Sequence, residues 1–165
     1  PSFILNLLMI TKEKIEELSN QFLPTVDCFL VTVDVKKNKI INIDIDCEAG
    51  LTIDSCIALN NAIKEHYGEA IDEFELNVMS PGADSPIKDV RQLTKAISKE
   101  LEVVTLEGVT ILGQLISVDK TANTFEISST NKETVEGKKS KQLVTRNHTF
   151  ALNQVKTATR TISFK

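Results

Sequence analysis

The run Ser80–Lys88, which reads Ser-Pro-Gly-Ala-Asp-Ser-Pro-Ile-Lys, constrains this chain more than any other segment. Each of its two prolines fixes its own φ at about −65° and disfavours helical geometry in the residue before it. Gly82 follows Pro81, and this pair predicts a type II turn with positive φ at the glycine. The run therefore predicts a stiff corner, with Ser80, Pro81, Gly82, Asp84 and Pro86 as a joint motif between two modules.

The charge distribution also divides the chain at this corner. Residues 1–90 carry 7 Lys and Arg against 16 Asp and Glu, a net charge of −9, whereas residues 91–165 carry 12 against 7, a net charge of +5. Opposite signs in the two halves favour two modules, of which the second could bind a polyanion. The alternative is that the two halves simply attract each other.

The first module reads as helix, two strands, helix and strand. Thr11 predicts the start of a helix that runs to about Phe22, and Thr52 predicts a second one that ends near Tyr67. Alternating apolar residues predict strands over 28–36, 39–46 and 74–79, with Lys37 and Asn38 forming a hairpin turn. Three sets are expected to face the core: Ile15, Leu18 and Phe22; Phe29, Val31, Val33 and Val35; and Ile53, Cys56, Ile57, Leu59, Ile63 and Tyr67. Asn60 lies within the last set, and we expect its amide to bond to the backbone.

No catalytic or metal centre is predicted. Asp44, Asp46 and Glu48 alternate along one strand, and a solvated sheet face explains them better than a divalent-metal hydrolase does. Three cysteines without a CxxC pair, and two distant histidines, give no zinc spacing, so Cys28, Cys47 and Cys56 are expected to be reduced core residues. His66 is expected near a helix end and His148 on a surface strand. Familiar catalytic motifs are absent, which predicts a non-enzyme without a cofactor or small-molecule substrate.

The second module reads as a short linker helix, 91–98, followed by five short strands. Gly113 predicts a bulge or bend within the second of these strands, and residues 151–154 predict a single 3₁₀ turn before the last. Strong bending favours a small barrel, and the pattern Gly113-x-Leu115-x-x-x-Asp119 followed by Asn123 is similar to the first half of an Sm-like or SH3-like barrel. The polar segment 131–142 predicts a mobile loop. Four cations in or beside it, Lys138, Lys139, Lys141 and Arg146, are candidate contacts to phosphates, although a merely solvated loop remains an alternative.

Several segments resemble the bacterial ribosome maturation factor RimP family, in the form of a Bacteroidetes-like member. They are Thr52–Ile57, Phe74–Pro86 and the closing Thr161–Lys165, and the resemblance extends from Met9 to the end of the chain. The family's corner usually reads Ser-Pro-Gly-Leu-x-Arg-Pro-Leu, and this sequence has Ala83, Ser85 and Ile87 at the three differing positions. We take Met9 as the natural start, which leaves residues 1–8 as a leader or remnant.

The resemblance implies an α+β protein with two domains. Residues 9–86 would form an N-terminal αββαβ two-layer sandwich, and residues 87–165 would form a C-terminal Sm-like or SH3-like β-barrel, with 87–99 as the linker. It also implies a non-enzymatic, cytoplasmic, monomeric factor that binds the immature small ribosomal subunit through rRNA and ribosomal protein uS twelve, without a membrane. In this interpretation the corner fixes the angle between the domains. The alternative function is an Sm-like RNA-binding regulator that acts through the basic loop.

Overall fold

The computed structural model describes residues 9–161, and the chain divides into two compact units, Pro1–Pro81 and Gly82–Lys165. Each unit has its own β-sheet and its own buried apolar cluster, and the protein is of the α+β class. Residues 1–8, the proposed leader, and residues 162–165, the end of the last predicted strand, lie outside the described part. Within residues 9–161, no helix is both long enough and apolar enough to cross a bilayer.

The described part of the first unit, from residue 9, contains two α-helices and a three-stranded sheet. Its elements in chain order are α1 (Lys12–Phe22), β1 (Phe29–Val35), β2 (Ile40–Asp46), α2 (Ile53–Tyr67) and β3 (Glu75–Met79). Strand β2 lies in the middle, antiparallel to β1 and parallel to β3. Three alternate isoleucines of β2 are fully buried at the centre of the cluster, together with residues from both helices: Ile41, Ile43, Ile45, Ile15, Leu59 and Ile63.

Both helices begin where their capping residues predict. Thr11 Oγ1 accepts a hydrogen bond from the Lys14 N–H at 3.2 Å, and Thr52 Oγ1 accepts one from the Ser55 N–H at 3.2 Å. Such side-chain oxygens satisfy N–H groups that have no partner within the helix. The predicted apolar face of α2 is wrong at its first turns, because Ile53 is 78% exposed and Ile57 is 49% exposed. Only the later part of that face, with Leu59, is buried in the core.

A β-bulge changes the pattern expected for β1. Leu30 pairs with Ile45 and Thr32 pairs with Asp44, so Val31 is an extra residue without an opposite partner. The extra residue shifts the alternation, and Leu30 rather than Val31 packs against the core with Val33. The predicted set of four core-facing residues is therefore wrong at Val31, whereas Phe29 is buried. Lys39, which follows the two predicted turn residues Lys37 and Asn38, has a positive φ of 63°.

Cys28 and Cys47 form a disulfide, which corrects the expectation that they are reduced. Phe29 pairs with Asp46 at the end of the β1–β2 ladder, so the next residues outward, Cys28 and Cys47, face each other. Both are buried, as predicted for core residues. Cys56 is a free cysteine and is partly exposed. Burial raises the pKa of its thiol.

The second unit begins with a 3₁₀ helix, Val90–Ala96, in the region predicted to be helical. Up to residue 161, this unit has five strands: β4 (Glu100–Thr105), β5 (Thr110–Asp119), β6 (Thr124–Glu133), β7 (Gln142–Ala151) and β8 (Val155–Arg160). A 3₁₀ turn, Leu152–Gln154, precedes β8. The sheet order is β7-β6-β5-β4-β8, and all neighbours are antiparallel. Leu93, Leu101, Leu115, Phe125 and Ile127 fill the core of this unit.

Gly113 permits a close approach between strands rather than a bulge. A Cβ at this position would lie 2.9 Å from the Ser128 carbonyl oxygen and 3.1 Å from Ile127 Cδ1. The register of β5 shifts three positions later, between Leu115 and Ser117. The predicted location of the bulge is therefore wrong, and the glycine is required because β6 passes too near for any side chain.

The β6–β7 hairpin is longer than the sequence predicts. Strand pairing continues through Asn131 with Val144 and Glu133 with Gln142, well inside the predicted loop. Only residues 134–141 connect the two strands. The predicted loop of 131–142 is wrong at both ends, because strand pairing can recruit polar residues where one face of a sheet is solvated.

Candidate binding surfaces

Three of the four candidate phosphate contacts lie together in the β6–β7 connector. Lys138, Lys139 and Lys141 are all exposed there, and the connector turns at Gly137, whose φ is 83°. The Lys138 N–H donates to the Val135 carbonyl at 3.1 Å, which closes this turn. The connector thus presents three ammonium groups from one short segment.

Arg146, the fourth candidate, is bound to a carboxylate. Its Nη2 lies 2.7 Å from Glu133 Oε2, and its Nε donates to Glu133 Oε1 at 3.3 Å. The hydrogen bond from Arg146 lowers the pKa of Glu133, and the same bond raises the pKa of Arg146. Because the guanidinium charge is already balanced, Arg146 is a weaker phosphate contact than the three lysines. This ion pair could not be predicted from the sequence, because the two residues are thirteen positions apart.

A cavity of about 340 Å³ lies beside this ion pair, lined by residues of β5, β6 and β7. His148 lines it, with Nε2 3.0 Å from the buried Ser129 Oγ and its ring stacked on Phe150 at a centroid distance of 6.0 Å. His148 is half-buried, whereas the sequence predicted a surface or rim position. Its ring is thus held between a hydroxyl group and an aromatic side chain.

The corner motif falls at the boundary between the two units. Ser80 and Pro81 end the first unit, and Gly82, Asp84 and Pro86 begin the second. The predicted type II turn is wrong, because Gly82 does not adopt a positive φ. The turn instead starts two residues later, at Gly82, where the Ser85 N–H donates to the Gly82 carbonyl at 3.0 Å.

The segment that follows the corner is held to the rest of the second unit by hydrogen bonds. The Ile87 N–H donates to the Ala158 carbonyl on β8 at 2.7 Å. Asp89 caps the 3₁₀ helix and bonds to both the backbone and the side chain of Arg91. Burial acts to raise the pKa of Asp89, but the bonds from Arg91 and its positive charge outweigh burial, and the pKa is lowered.

The carboxylate row of β2 is bonded within the protein rather than uniformly solvated. Asp44 Oδ2 accepts from Thr32 Oγ1 at 3.2 Å, and Asp46 Oδ1 accepts from the Cys47 N–H at 2.8 Å. Asp46 is buried, with 8% of its surface exposed, which corrects its predicted outward position. Across residues 9–161, no group of three or more His, Cys, Asp or Glu side chains is arranged to hold a metal ion.

Comparisons with known proteins agree with the resemblance in the sequence. A family model described as the RimP N-terminal domain matches residues 14–84. A protein of Porphyromonas gingivalis named "Ribosome maturation factor RimP" is 34% identical over 154 residues, which cover 93% of this chain and all of that relative. The chain belongs to the RimP family. A RimP of Flavobacterium psychrophilum is 30% identical over 94% of this chain and all of its own length, and a RimP of Christiangramia forsetii is 30% identical over 66% of this chain and 71% of its own.

The extent of the RimP match can be compared with the positions of the corner and the connector lysines. The matched N-terminal domain ends at residue 84, inside the corner motif, so the corner lies where this RimP domain ends. The three connector lysines fall beyond that domain, in the part of the chain that the full-length RimP relatives also cover. The acidic first unit and the lysine-bearing hairpin are therefore both parts of one RimP-type chain.

Proposed function

We propose that this protein is a non-catalytic ribosome maturation factor that binds the free, immature small ribosomal subunit and promotes its assembly. The observation that carries this proposal is similarity over nearly the whole chain to relatives that are named ribosome maturation factors. In this proposal the protein acts in the cytoplasm as a monomer, with rRNA and ribosomal protein uS twelve as its partners on the particle.

The three connector lysines are the proposed rRNA contacts. They are exposed, they lie within four positions, and they are carried by the unit whose sequence is basic. Phosphate groups attract such clustered cations, and each neutralised phosphate releases counterions. Arg146 contributes less, because Glu133 already binds its guanidinium group.

We further propose that the second unit is a small barrel of the Sm-like or SH3-like kind, and that the first is a two-layer sandwich. Three observations support the barrel: the register shift at Ile116, the close approach at Gly113 and the 3₁₀ turn before β8. Bulges and glycines are the devices that curve a sheet toward closure. An experimental structure that resolves how β7 and β8 are placed tests this assignment.

Sedimentation of cell extract tests the assembly function. The protein is expected on free small-subunit particles, and a strain that lacks it is expected to accumulate immature small subunits. A variant with Lys138, Lys139 and Lys141 changed to Gln should no longer sediment with these particles. A matched variant with Lys99, Lys120 and Lys156 changed to Gln has the same net charge and should remain bound. Association only with translating ribosomes, or with no particle, contradicts the proposal.

The connector lysines also support a second candidate, an RNA-binding regulator that needs no ribosomal particle. Salt dependence separates the two functions. If three lysines neutralise three phosphates of an isolated RNA, log K should fall with log[salt] with a slope of about −2 to −3. A shallower slope, with tight binding only to the complete particle, favours the maturation factor.

A further inference from the structure

A groove runs along the outer side of β3 in the first unit. It has a volume of about 440 Å³ and is lined by two turns of α2 and by the last four residues of β3. Its apolar wall contains Ile53, Ile57 and Met79, which are 78%, 49% and 40% exposed. Large apolar side chains grouped at one exposed place usually mark an interaction surface.

Strand β3 is an edge strand within the described part of the chain. It pairs with β2 alone, and its ladder from Glu75 to Met79 is regular. Edge strands present N–H and C=O groups that a further strand can pair with, and proteins usually protect them with prolines, bulges or charges. Strand β3 has no proline or bulge, and its one charged residue is Glu75 at its start. Its free edge is thus suited to pairing with another strand.

Asn60 adds a polar group to this groove. It is half-buried on α2, between the apolar wall and β3, and it also lines a smaller adjoining cavity of about 190 Å³. The sequence predicted that its amide bonds to the protein backbone, but the amide makes no hydrogen bond to any described residue. An amide with two donors and an acceptor is suited to bonding the backbone of an incoming chain.

The net charge of the first unit indicates the sign of the charge expected on a ligand. Residues 9–81 carry 6 Lys and 14 Asp and Glu, a net charge of −8. Asp54 and Glu75 are exposed on the two elements that line the groove. Lys64, near the far end of α2, has Asp72 beside it in the adjoining cavity. This field favours a cationic partner and disfavours RNA.

We propose that this groove binds an extended, basic segment of a partner protein, which adds to β3 as a further strand. Backbone pairing with β3 supplies affinity, and alternate apolar side chains of the segment pack against Ile53 and Ile57. The remaining side chains are Lys or Arg and face the acidic surroundings. The proposal goes beyond the assembly function, and its test uses the purified chain without any ribosomal particle.

The probe is a ten-residue peptide of alternating Lys and Val, acetylated and amidated, titrated into the isotopically labelled chain. Saturable NMR shifts are expected in residues 53–60 and 75–79, with slower hydrogen exchange at the free edge of β3. Cys56, the free thiol at the groove, should be alkylated more slowly when the peptide is bound. A peptide of alternating Glu and Val should not bind.

Paired variants test the location of the site. Changing Ile53 and Ile57 to Lys should weaken binding of the Lys-Val peptide at least tenfold, because it removes the apolar wall and repels the cations. Leu106→Lys with Leu143→Lys makes the same charge change at exposed apolar residues of the second unit, and should alter binding less than twofold. If the groove variant does not fold, protection of Cys56 in the unaltered chain still decides the question.

Three results would overturn the proposal. Equal binding of the Glu-Val peptide would show that charge does not select the ligand. Undiminished binding of a Lys-Val peptide that is N-methylated at every residue would exclude strand addition, because such a peptide has no N–H donors and carries methyl groups on both of its edges. Self-association of the chain that is lost with the groove variant would show that a second copy occupies the groove instead.

Discussion

The Arg146 guanidinium lies 2.7 Å from the Glu133 carboxylate, across the two strands that carry the lysine-bearing connector. Glu133→Gln should release this cation for contact with RNA. The slope of log K against log[salt] for a short RNA duplex is then expected to become steeper by about 0.7–0.9, as for one added phosphate contact. Glu136→Gln, at an exposed connector position, makes the same change of net charge and is the control. Equal slopes for the two variants would mean that only net charge matters.

The Cys28–Cys47 disulfide should contribute strongly to the stability of the first unit. It closes a loop of 19 residues, for which the chain-entropy relation predicts about 3 kcal/mol. Cys28→Ser combined with Cys47→Ser should lower the free energy of unfolding by that amount, whereas Cys56→Ser should change it little. Tyr67, the single tyrosine in a chain without tryptophan, reports unfolding of this unit by fluorescence in urea. If a reductant does not shift the urea unfolding transition of the unaltered chain, this expectation is contradicted.

Ser19 is a place where the first unit can be stabilised. Its side chain is fully buried in α1, and its Oγ has no hydrogen-bond partner in the described part of the protein. A buried hydroxyl without a partner is costly, so Ser19→Ala should raise the free energy of unfolding by about 1 kcal/mol. Asn20→Ala, at the exposed neighbouring position, measures the gain from helix propensity alone. If the two variants gain equally, the buried hydroxyl has no cost of its own.

Asp89 should make the stability of the second unit depend on pH. Its pKa is lowered in the folded chain, so its stabilising contribution is present above the unfolded value of about 3.9. That contribution is lost as the pH falls through the lower folded value. Asp89→Asn keeps a capping oxygen but removes the charge. The difference in stability between the two proteins, followed by amide NMR signals of β4 and β8 in denaturant, should narrow from pH ~7 to pH ~3. A difference in stability that does not change with pH would exclude this role of the Asp89 charge.

Local signals in the sequence predicted the helices well. Thr11 and Thr52 cap helices because their side chains bond to N–H groups only three positions away. Both partners of each bond therefore lie within one short stretch of sequence. The fully buried isoleucines of β2 were likewise visible as strict alternation. These features depend on near neighbours, and near neighbours can be read directly from the chain.

Features that depend on distant residues could not be predicted in the same way. The bulge at Val31 is defined by the register with β2, and the disulfide is possible only because that register brings Cys28 opposite Cys47. Ile53 and Ile57 continue the apolar stripe of α2, but the three-stranded sheet leaves them uncovered. The periodicity of α2 therefore predicted a buried face at Ile53 and Ile57, but it could not show that these residues line an exposed groove.

The long β6–β7 hairpin determines how far its lysines extend from the second unit. Buried residues alternate along β6 only as far as Ser129, and the last residues, Thr130 to Glu133, are paired with β7 but have no core beneath them. At about 3.3 Å per residue, these four residues form an arm of about 13 Å. Deleting one cross-strand pair at a time would shorten this arm stepwise while leaving the hydrophobic interior intact. The reach of the cationic tip is therefore a dimension that can be altered independently of folding.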